Sequence, residues 1–185
     1  IMKILHYFPT TRLTEGGTVR AALDLSTALA RFGHEIIWLT TDDCDVPEHW
    51  GKEPNTPTVV LLGTLQKSGG RLSASQVAMA TEVAAEADVV HIHAMWMPSN
   101  VQMAVASKRA RTPWVLSTHG MLDDWCMEQR GLKKRIYLAT YGKKLVHCAS
   151  TILTTAEEEK RQASRWLPRD NVVAIPLIVD LEPYA

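Results

Sequence analysis

Three histidines stand at the ends of short apolar segments, where side chains from different parts of the chain can meet. His91 and His93 form an H-x-H pair at the end of DVVHIH, and His119 follows WVLST. In a strand, the alternation of side chains places His91 and His93 on one face. With His119 they could bind zinc in a metal-dependent hydrolase. No carboxylate ligand accompanies them, so we expect no metal and favour a polar cleft lined by His93 and His119.

A pair of glycines, Gly16 and Gly17, precedes a predicted helix after the first apolar segment. Glycines let a ligand approach the backbone, and the start of a helix offers unpaired N–H groups to an anion. The pattern therefore predicts a phosphate or diphosphate site, with a plain turn as the alternative. It is not GxGxxG, the fingerprint of dinucleotide binding, which argues against a nicotinamide dehydrogenase.

The residues near His119 include further candidates for ligand contact. Gly120 leaves room for a substrate at the backbone. Asp123 and Asp124 could bind a cation, orient a hydroxyl group or cap the next helix, and capping is the usual role of such a pair. Trp96 lies in a comparable loop, where an aromatic face can pack against a sugar ring or form the edge of the core.

The elements that must position these residues alternate between strand and helix, which is typical of parallel βαβ units. Strands are predicted over 3–8, 35–40, 58–62, 88–93, 114–118, 151–155 and 172–175. Helices are predicted over 18–32, 73–87, 98–110, 128–147 and 156–166. We expect one α/β domain over residues 1–185, with a doubly wound, mostly parallel Rossmann-like sheet of about seven strands and helices on both faces. Ligands should then bind beyond the carboxyl ends of the strands.

Composition narrows the class of protein. The chain has 185 residues, with 46% hydrophobic and 22% charged residues, as in ordinary globular domains. Twenty basic residues balance twenty acidic ones, which disfavours nucleic acid as a partner. The three cysteines form no CxxC pair, which indicates reduced thiols and a cytoplasmic location. No stretch approaches the ~18 apolar residues that span a bilayer.

The predicted helix over 128–147 is basic and amphipathic. Its apolar stripe consists of Leu138, Tyr141 and Leu145. The same range contains six basic residues and one acidic residue, Glu128. Such a helix can lie on an anionic lipid surface, so we expect peripheral membrane contact here, with a solvated helix face as the alternative. Three glutamates at 157–159 open another helix, where they suit the positive end of its dipole.

Six segments, taken in order, resemble the N-terminal half of family 4 retaining glycosyltransferases of GT-B architecture. They are MKILHYF, TEGGTVRAALDLSTALARFGHEI, VVHIHAMW, PWVLSTHGMLDDW, LTTAEEEKR and VVAIPLIVD. The resemblance implies an enzyme that transfers a sugar from a nucleotide diphosphate sugar to a hydroxyl of a glycan or lipid-linked acceptor. It implies two lobes that face each other across a cleft, of which this chain is the acceptor-side lobe. The donor-binding carboxylates would lie in the other lobe, so we expect the isolated chain to be inactive.

The resemblance assigns roles residue by residue. Gly16 and Gly17 match the glycine loop that approaches the donor diphosphate, and His119 matches a histidine beside the transferred sugar. The other positions expected to contact the acceptor are His93, Trp96, Gly120, Asp123 and Asp124. No tightly bound cofactor is implied, because the donor is a substrate.

One departure from the family pattern concerns the segment IPLIVD, where Leu177 and Ile178 replace the usual Asn-Gly pair. Two alternatives to a glycosyltransferase stay open. One is the metal-dependent hydrolase that uses His91, His93 and His119. The other is a module that binds a nucleotide or glycan without catalysis.

Overall fold

The structure, a computed structural model, describes residues 1–65, 69–167 and 171–178. Within these ranges, seven parallel strands form one sheet in the order β3-β2-β1-β4-β5-β6-β7. The strands are β1 (Lys3–Tyr7), β2 (Glu35–Thr40), β3 (Thr58–Leu61), β4 (Val89–His93), β5 (Trp114–Ser117), β6 (Thr151–Thr154) and β7 (Val172–Ala174). The helices are α1 (Gly17–Arg31), α2 (Ala74–Ala85), α3 (Pro98–Ala110), α4 (Asp124–Glu128), α5 (Gly131–Ala139), α6 (Lys143–His147) and α7 (Glu157–Ala163). This confirms the predicted α/β class and the parallel, seven-stranded sheet.

The strand order reverses between β1 and β4. The chain runs from β1 outward to β3, returns to β4 beside β1, and continues outward to β7. At such a reversal the loops after the two central strands turn away from each other and leave a crevice, where ligands of this fold class bind. The register pairs His6 of β1 with His91 of β4, so the predicted histidines lie at the centre of the sheet.

Local signals explain where the helices begin and end. The Ser73 hydroxyl accepts the Gln76 N–H, and the Gln76 side chain accepts the Ser73 N–H, so the two residues form a capping box at the start of α2. Gly33 follows the last turn of α1 with φ +90°, a conformation that favours glycine after a helix end. The observed bounds of the strands and of α1 and α3 differ from the predicted ones by one residue at most.

The prediction of one helix over 128–147 is wrong. The chain forms three short helices here, α4, α5 and α6. Arg130 adopts a left-handed φ of +57° between the first two. Gly142 separates the last two, where its N–H donates to the Tyr137 carbonyl at 2.8 Å and a Cβ would clash with the Tyr137 ring. The glycine therefore lets the chain fold back onto Tyr137, which a continuous helix does not allow.

Of the predicted apolar stripe, Tyr141 is exposed, at 39%, and the other two residues are not. Leu145 is fully buried, and Leu138 packs against the core. The outward-facing apolar side chains are instead Leu132, 74% exposed, and Ile136, 54% exposed, which lie four residues apart on α5. No helix within the described residues is both long and apolar enough to cross a membrane.

The two faces of the sheet are packed differently. One face carries apolar side chains such as Leu5, Tyr7 and Ile92, which pack against α2 and α3 in the main core. The opposite face carries Trp38, which packs with Val19 and Ala22 of α1. Because side chains alternate along a strand, the histidines of β1 and β4 share this second face with Trp38. The polar side chains of the sheet are therefore covered by α1.

Candidate functional site at the carboxyl edge of the sheet

A chain of three histidines runs from the interior of the sheet to its carboxyl edge. His6 Nδ1 lies 2.9 Å from His93 Nε2, and His93 Nδ1 lies 3.1 Å from His119 Nε2. His6 and His93 are fully buried. His93 was predicted to line the cleft, but both of its ring nitrogens are engaged by other histidines. His93 therefore holds His119 through a hydrogen bond. Of the three histidines, His119 is the one that reaches the carboxyl edge of the sheet.

Burial keeps these imidazoles neutral. It lowers the pKa of His6 to about 3. It also lowers the pKa of His119 to about 4, against an opposing effect of the nearby Glu159 carboxylate. His93 and His91 are held well below the usual value by burial and by the other histidines. Each ring therefore has one N–H and one lone pair at neutral pH.

The backbone at His119 is unusual. His119 has φ +50° and Gly120 has φ +77°, so two consecutive residues after β5 are left-handed. A histidine in this region is uncommon and is retained where the surroundings impose it. The turn brings the His119 ring onto His93, with ring centres 5.4 Å apart. Ala94, at the end of β4, is left-handed as well, with φ +64°.

Glu159 imposes the conformation of this turn. Its Oε1 accepts the Thr118 hydroxyl and the Gly120 N–H, both at 2.7 Å. Its Oε2 accepts the Thr155 N–H at 2.6 Å and the Thr155 hydroxyl at 2.7 Å. Burial raises the pKa of Glu159, but these bonds outweigh burial and hold the pKa below its usual value. A buried carboxylate therefore joins the loops after β5 and β6 directly beneath His119.

The glycine pair begins α1, as predicted. Gly16 precedes the helix with φ +117°, and no side chain caps the N-terminus. Gly17 is the first helical residue, and a Cβ at either glycine would meet no atom within 4 Å. The first N–H groups of a helix have no partner within the helix, so this end is open to an anion.

A cavity of about 490 Å³ lies between the start of α1 and the residues that follow the His119 turn. Thr18 of α1, Arg12 and Glu15 line one side, and Met97 and Met121 line the other. Met121 lies two residues after His119, which itself lines a second cavity. Its location matches the crevice expected between the loops after β1 and β4.

Arg12 contributes a positive charge to this cavity, which the Asp42 and Glu15 carboxylates also line. Its guanidinium lies 3.6 Å from the Asp42 carboxylate, and the Arg12 side chain is 56% exposed. Asp42 is held in place by Thr11, whose hydroxyl donates to the Asp42 carboxylate at 3.1 Å. Burial raises the pKa of Asp42, but hydrogen bonds from Thr11 and Thr10 outweigh it and hold the pKa below the usual value.

A second cavity of about 220 Å³ lies beside His119 on the α1 side of the sheet. Its polar lining includes His91, Ser117 and His119, and the apolar residues Leu177 and Ile178 close it. These two residues stand where the family pattern has Asn-Gly. The departure therefore makes the wall next to His119 more apolar than the pattern implies.

Trp96 packs against the protein rather than standing free in the cleft. Its ring meets the Tyr137 ring edge-on at 5.3 Å, and the Lys134 ammonium lies 5.1 Å from the ring centre. The Tyr137 hydroxyl donates to the Met95 carbonyl at 2.5 Å, which ties α5 to the loop after β4. The half-buried Trp96 therefore shapes the edge of the site together with Tyr137.

The two aspartates after His119 have structural partners. The Asp123 carboxylate accepts the Cys126 N–H and caps α4, as the capping alternative predicts. Asp124 forms an ion pair with Arg165 at 2.7 Å, and its N–H donates to the Gln162 side chain. Both aspartates line a shallow surface recess with Gly120, close to Glu159.

The histidines do not assemble as the hydrolase alternative requires. His91 Nε2 bonds to the Ser117 hydroxyl at 2.7 Å. Within the described residues, the histidines that come close enough to share a metal ion are His6, His91 and His93, whose ligand atoms lie within 4.8 Å of one another. His119, the third ligand of that hypothesis, is not a member of this group.

Sequence reasoning did not single out His6, Glu159 or Arg12. His6 lies mid-strand, and its partner His93 is 87 residues away, so only the strand order brings them together. The sequence signal for His6 is a polar residue within an otherwise apolar strand, which indicates a buried polar contact. Glu159 was grouped with Glu157 and Glu158 as dipole-matching acids, although it alone of the three is buried.

Comparison with known proteins places the chain in a family. Residues 16–177 match the family described as glycosyl transferase 4-like domain. Among solved structures, HepE from Anabaena in complex with UDP-glucose superposes with a TM-score of 0.72 at 19% identity, covering 100% of this chain and 46% of that one. Sucrose-phosphate synthase from Thermosynechococcus elongatus gives a TM-score of 0.59 at 15% identity, covering 98% and 49%. No curated protein sequence matches the chain.

The fold and its site define a Rossmann-like α/β domain of the GT-B kind. The chain belongs to the glycosyl transferase 4-like family, because the match covers most of its length. This confirms the resemblance found in the sequence and gives no support to the metal-hydrolase alternative. The chain spans about half the length of the solved structures it resembles.

Proposed function

We propose that this chain is the acceptor-side half of a retaining glycosyltransferase, which transfers a sugar from a nucleotide diphosphate sugar to a hydroxyl group. One observation carries the proposal: Thr18 at the start of α1 and Met121, two residues after His119, line the same cavity. An anion site and a polar group beside a cavity are what a diphosphate leaving group and its sugar require. HepE, which has this fold, binds UDP-glucose, in agreement with such a donor.

The donor diphosphate would bind at the N-terminus of α1. Gly16 and Gly17 leave space for close approach, and the N–H groups of the first turn stabilise negative charge as the phosphate departs. Arg12 at the same cavity contributes a positive charge, which the Asp42 carboxylate at 3.6 Å offsets in part. These groups stabilise the leaving group without a bound metal ion.

His119 would bind an oxygen of the transferred sugar. Burial keeps it neutral, so it acts by hydrogen bonding rather than by carrying charge. Glu159 fixes the adjoining backbone before the substrate arrives, and a pre-organised donor needs no rearrangement during the reaction. Gly120 leaves the backbone open on the same side.

The acceptor, a glycan or a lipid-linked glycan, would enter the larger cavity. Met97 and Met121 provide apolar walls, and Trp96 with Tyr137 shapes the entrance. His93, Asp123 and Asp124 would act by holding this edge in place, since each has a partner within the protein. No nucleic acid is needed as a partner.

Contact with an anionic membrane would occur through the region 128–147, at the cytoplasmic side. The exposed Leu132 and Ile136 of α5 would enter the interface, with the basic side chains around them near the lipid head groups. Sedimentation with anionic vesicles measures this contact. Replacing both residues by serine should release the protein, and unchanged sedimentation would exclude this surface.

A transfer assay on the full protein tests the proposal. Nucleotide release from a panel of nucleotide sugars, with mixed glycan and lipid-linked acceptors, should identify one donor. In the same protein, His119→Ala should lower kcat by about a hundredfold or more and leave the melting temperature nearly unchanged. An unchanged kcat would remove His119 from the mechanism.

The isolated chain provides a second test. Its 185 residues should bind an acceptor or a nucleotide without sustained transfer, because the proposal assigns the donor carboxylates to the other half of the enzyme. Robust transfer by this chain alone would contradict the division of the site between two halves. Saturable binding without turnover in the full protein would favour the non-catalytic binding module.

A further inference from the structure

The two ends of the histidine chain lack hydrogen-bond partners within the described residues. The chain consists of His6, His93 and His119, joined by contacts of 2.9 Å and 3.1 Å. His6 Nε2 at the deep end and His119 Nδ1 at the edge are both buried and unpartnered. An unpartnered buried nitrogen in a side chain that borders a cavity indicates a group that completes its bonding when a ligand arrives.

The protons along this chain are coupled. Each nitrogen-to-nitrogen contact needs one N–H and one lone pair, and a neutral imidazole has one of each. The three N–H groups must therefore point in the same direction along the chain. If they point outward, every ring carries its proton on Nδ1 and His119 offers an N–H at the edge. If they point inward, every ring carries it on Nε2 and His119 offers a lone pair.

The deep end of the chain decides between these two arrangements. His6 lies between the Trp38 ring, whose centre is 6.3 Å away, and the His91 ring, 4.9 Å away. A buried N–H without an acceptor is more costly and rarer than an unpaired lone pair. Both end nitrogens are buried and unpartnered, but His119 lines a cavity where water or a ligand can accept its N–H, whereas His6 is enclosed by the Trp38 and His91 rings. His6 Nε2 is therefore the lone pair, and the protons of all three histidines point outward.

We propose that His6 and His93 are positioning residues that hold His119 as the Nδ1–H tautomer, so that His119 donates a hydrogen bond to an oxygen of the transferred sugar. The proposal rests on the proposed function for the identity of the acceptor oxygen. The direction of the protons depends only on the contacts and surroundings of His6, His93 and His119. The tautomer of an edge residue is thus fixed by a histidine two contacts away in the core.

Nuclear magnetic resonance of the full protein with ¹³C,¹⁵N-labelled histidine tests this directly. The ring carbon and nitrogen shifts distinguish the two tautomers of a neutral imidazole. His119, His93 and His6 should all show the Nδ1–H form. His34 provides an internal reference of the opposite kind, since its Nδ1 accepts the Met2 N–H at 3.3 Å and its proton must lie on Nε2. An Nε2–H form at His119 would overturn the proposal.

Two variants at His6 separate positioning from packing. His6→Asp places a hydrogen-bond acceptor opposite His93 Nε2, so His93 and His119 should both change to the Nε2–H form and kcat should fall by about tenfold with KM changed less than twofold. His6→Asn keeps an N–H donor near the position of Nδ1, so it should retain the Nδ1–H form and kcat. An unchanged His119 tautomer in His6→Asp would contradict the proposal. If the aspartate variant does not fold, the wild-type tautomer still decides.

The experiment also separates this proposal from its rivals. The tautomer is measured without substrate, so the expected tautomer in a protein without transfer activity would contradict the proposed function alone. Zinc added to the wild type tests the other use of the cluster formed by His6, His91 and His93. We expect no stoichiometric binding. One zinc ion bound per chain, with loss of the Nδ1–H signals, would show a metal site and overturn the proposal.

Discussion

The two loops that carry Gly17 and Gly120 lie at the same edge of the sheet but are built in opposite ways. After β1, the start of α1 is exposed, has no capping side chain and has open space around both glycines. After β5, the Gly120 N–H and the Thr118 hydroxyl are both bound to the buried Glu159 carboxylate. The first loop leaves backbone donors free, whereas the second satisfies its donors internally.

This difference indicates what each loop does for a ligand. Unpaired N–H groups at a helix start can be completed by an anion, so the first loop supplies binding. A loop that is already bonded keeps its shape when the ligand changes charge, so the second loop supplies orientation. Under the proposed function, the two tasks are therefore divided between two loops at the same edge of the sheet.

The largest expected effect comes from releasing the second loop. Glu159→Gln replaces one acceptor oxygen by an amide NH₂ group, which then meets N–H and O–H donors instead of accepting from them. Activity should fall by about a hundredfold, because a small displacement of His119 is enough to misalign it. The free energy of unfolding should fall by about 1–3 kcal/mol, because buried donors lose their acceptor. Transfer kinetics and chemical denaturation measure the two effects.

Glu158→Gln is the matched control for this change. Glu158 is the preceding residue in the same helix, and its carboxylate bonds to the exposed Arg161 instead of the His119 loop. It should leave both activity and stability close to those of the wild type. Equal losses in the two variants would show that Glu159 does not hold the loop.

A smaller effect is expected at the open loop. Gly17→Ala adds a Cβ in empty space at the first position of α1, so the free protein should become more stable, by about 0.5–1 kcal/mol. The same Cβ lies where the diphosphate approaches, so nucleotide-sugar binding should weaken by about tenfold, since one lost hydrogen bond is of that size. Calorimetry gives both quantities.

Gly131→Ala is the corresponding control, because Gly131 is the first residue of α5 and also has open space around it. It should stabilise the protein to a similar degree and leave nucleotide-sugar binding unchanged. If Gly17→Ala also leaves binding unchanged, the start of α1 is a plain turn and not an anion site.

A further effect, which concerns stability alone, is a dependence on pH. Burial lowers the pKa of His6 to about 3 and of His119 to about 4, below the unfolded value near 6.5. The unfolded chain therefore takes up protons first as the pH falls, and stability decreases from about pH 6.5 towards pH 4. For His6 the loss is about 1 kcal/mol per pH unit.

Melting temperatures at pH 8, 6 and 5 measure this dependence. They should be similar above pH 6.5 and fall below it, and His6→Asn should reduce the slope because it removes one of the groups. A flat profile between pH 7 and 5 would show that these histidines are not buried in neutral form. Glu159, with its lowered pKa, adds a further loss only at more acidic pH, below the unfolded value of a glutamate.

The sequence was sufficient for features that depend on local pattern. The alternation of apolar segments predicts the strands, the Ser73–Gln76 spacing predicts the capping box, and the H-x-H spacing predicts a shared face for His91 and His93. Gly16 and Gly17 could be placed at a helix start because glycine between a strand and an amphipathic segment has few other uses.

Features that depend on strand order could not be predicted in this way. His6 meets His93 only because β4 returns to lie beside β1. Glu159 is buried because β5 and β6 are neighbours, which brings the donors of both loops to one carboxylate. The break at Gly142 depends on the Tyr137 ring that folds over it. In each case the partner is set by packing rather than by spacing.

The central claim is that the loop with Gly16 and Gly17 and the loop with His119 and Gly120 both contact one nucleotide-sugar ligand. It is tested most directly by titrating the full, ¹⁵N-labelled protein with the donor identified in the transfer assay. We predict that the amide signals of Gly17 and Thr18 and the ring signals of His119 shift together and saturate with the same dissociation constant. Saturable donor binding that leaves both loops unshifted would contradict the account.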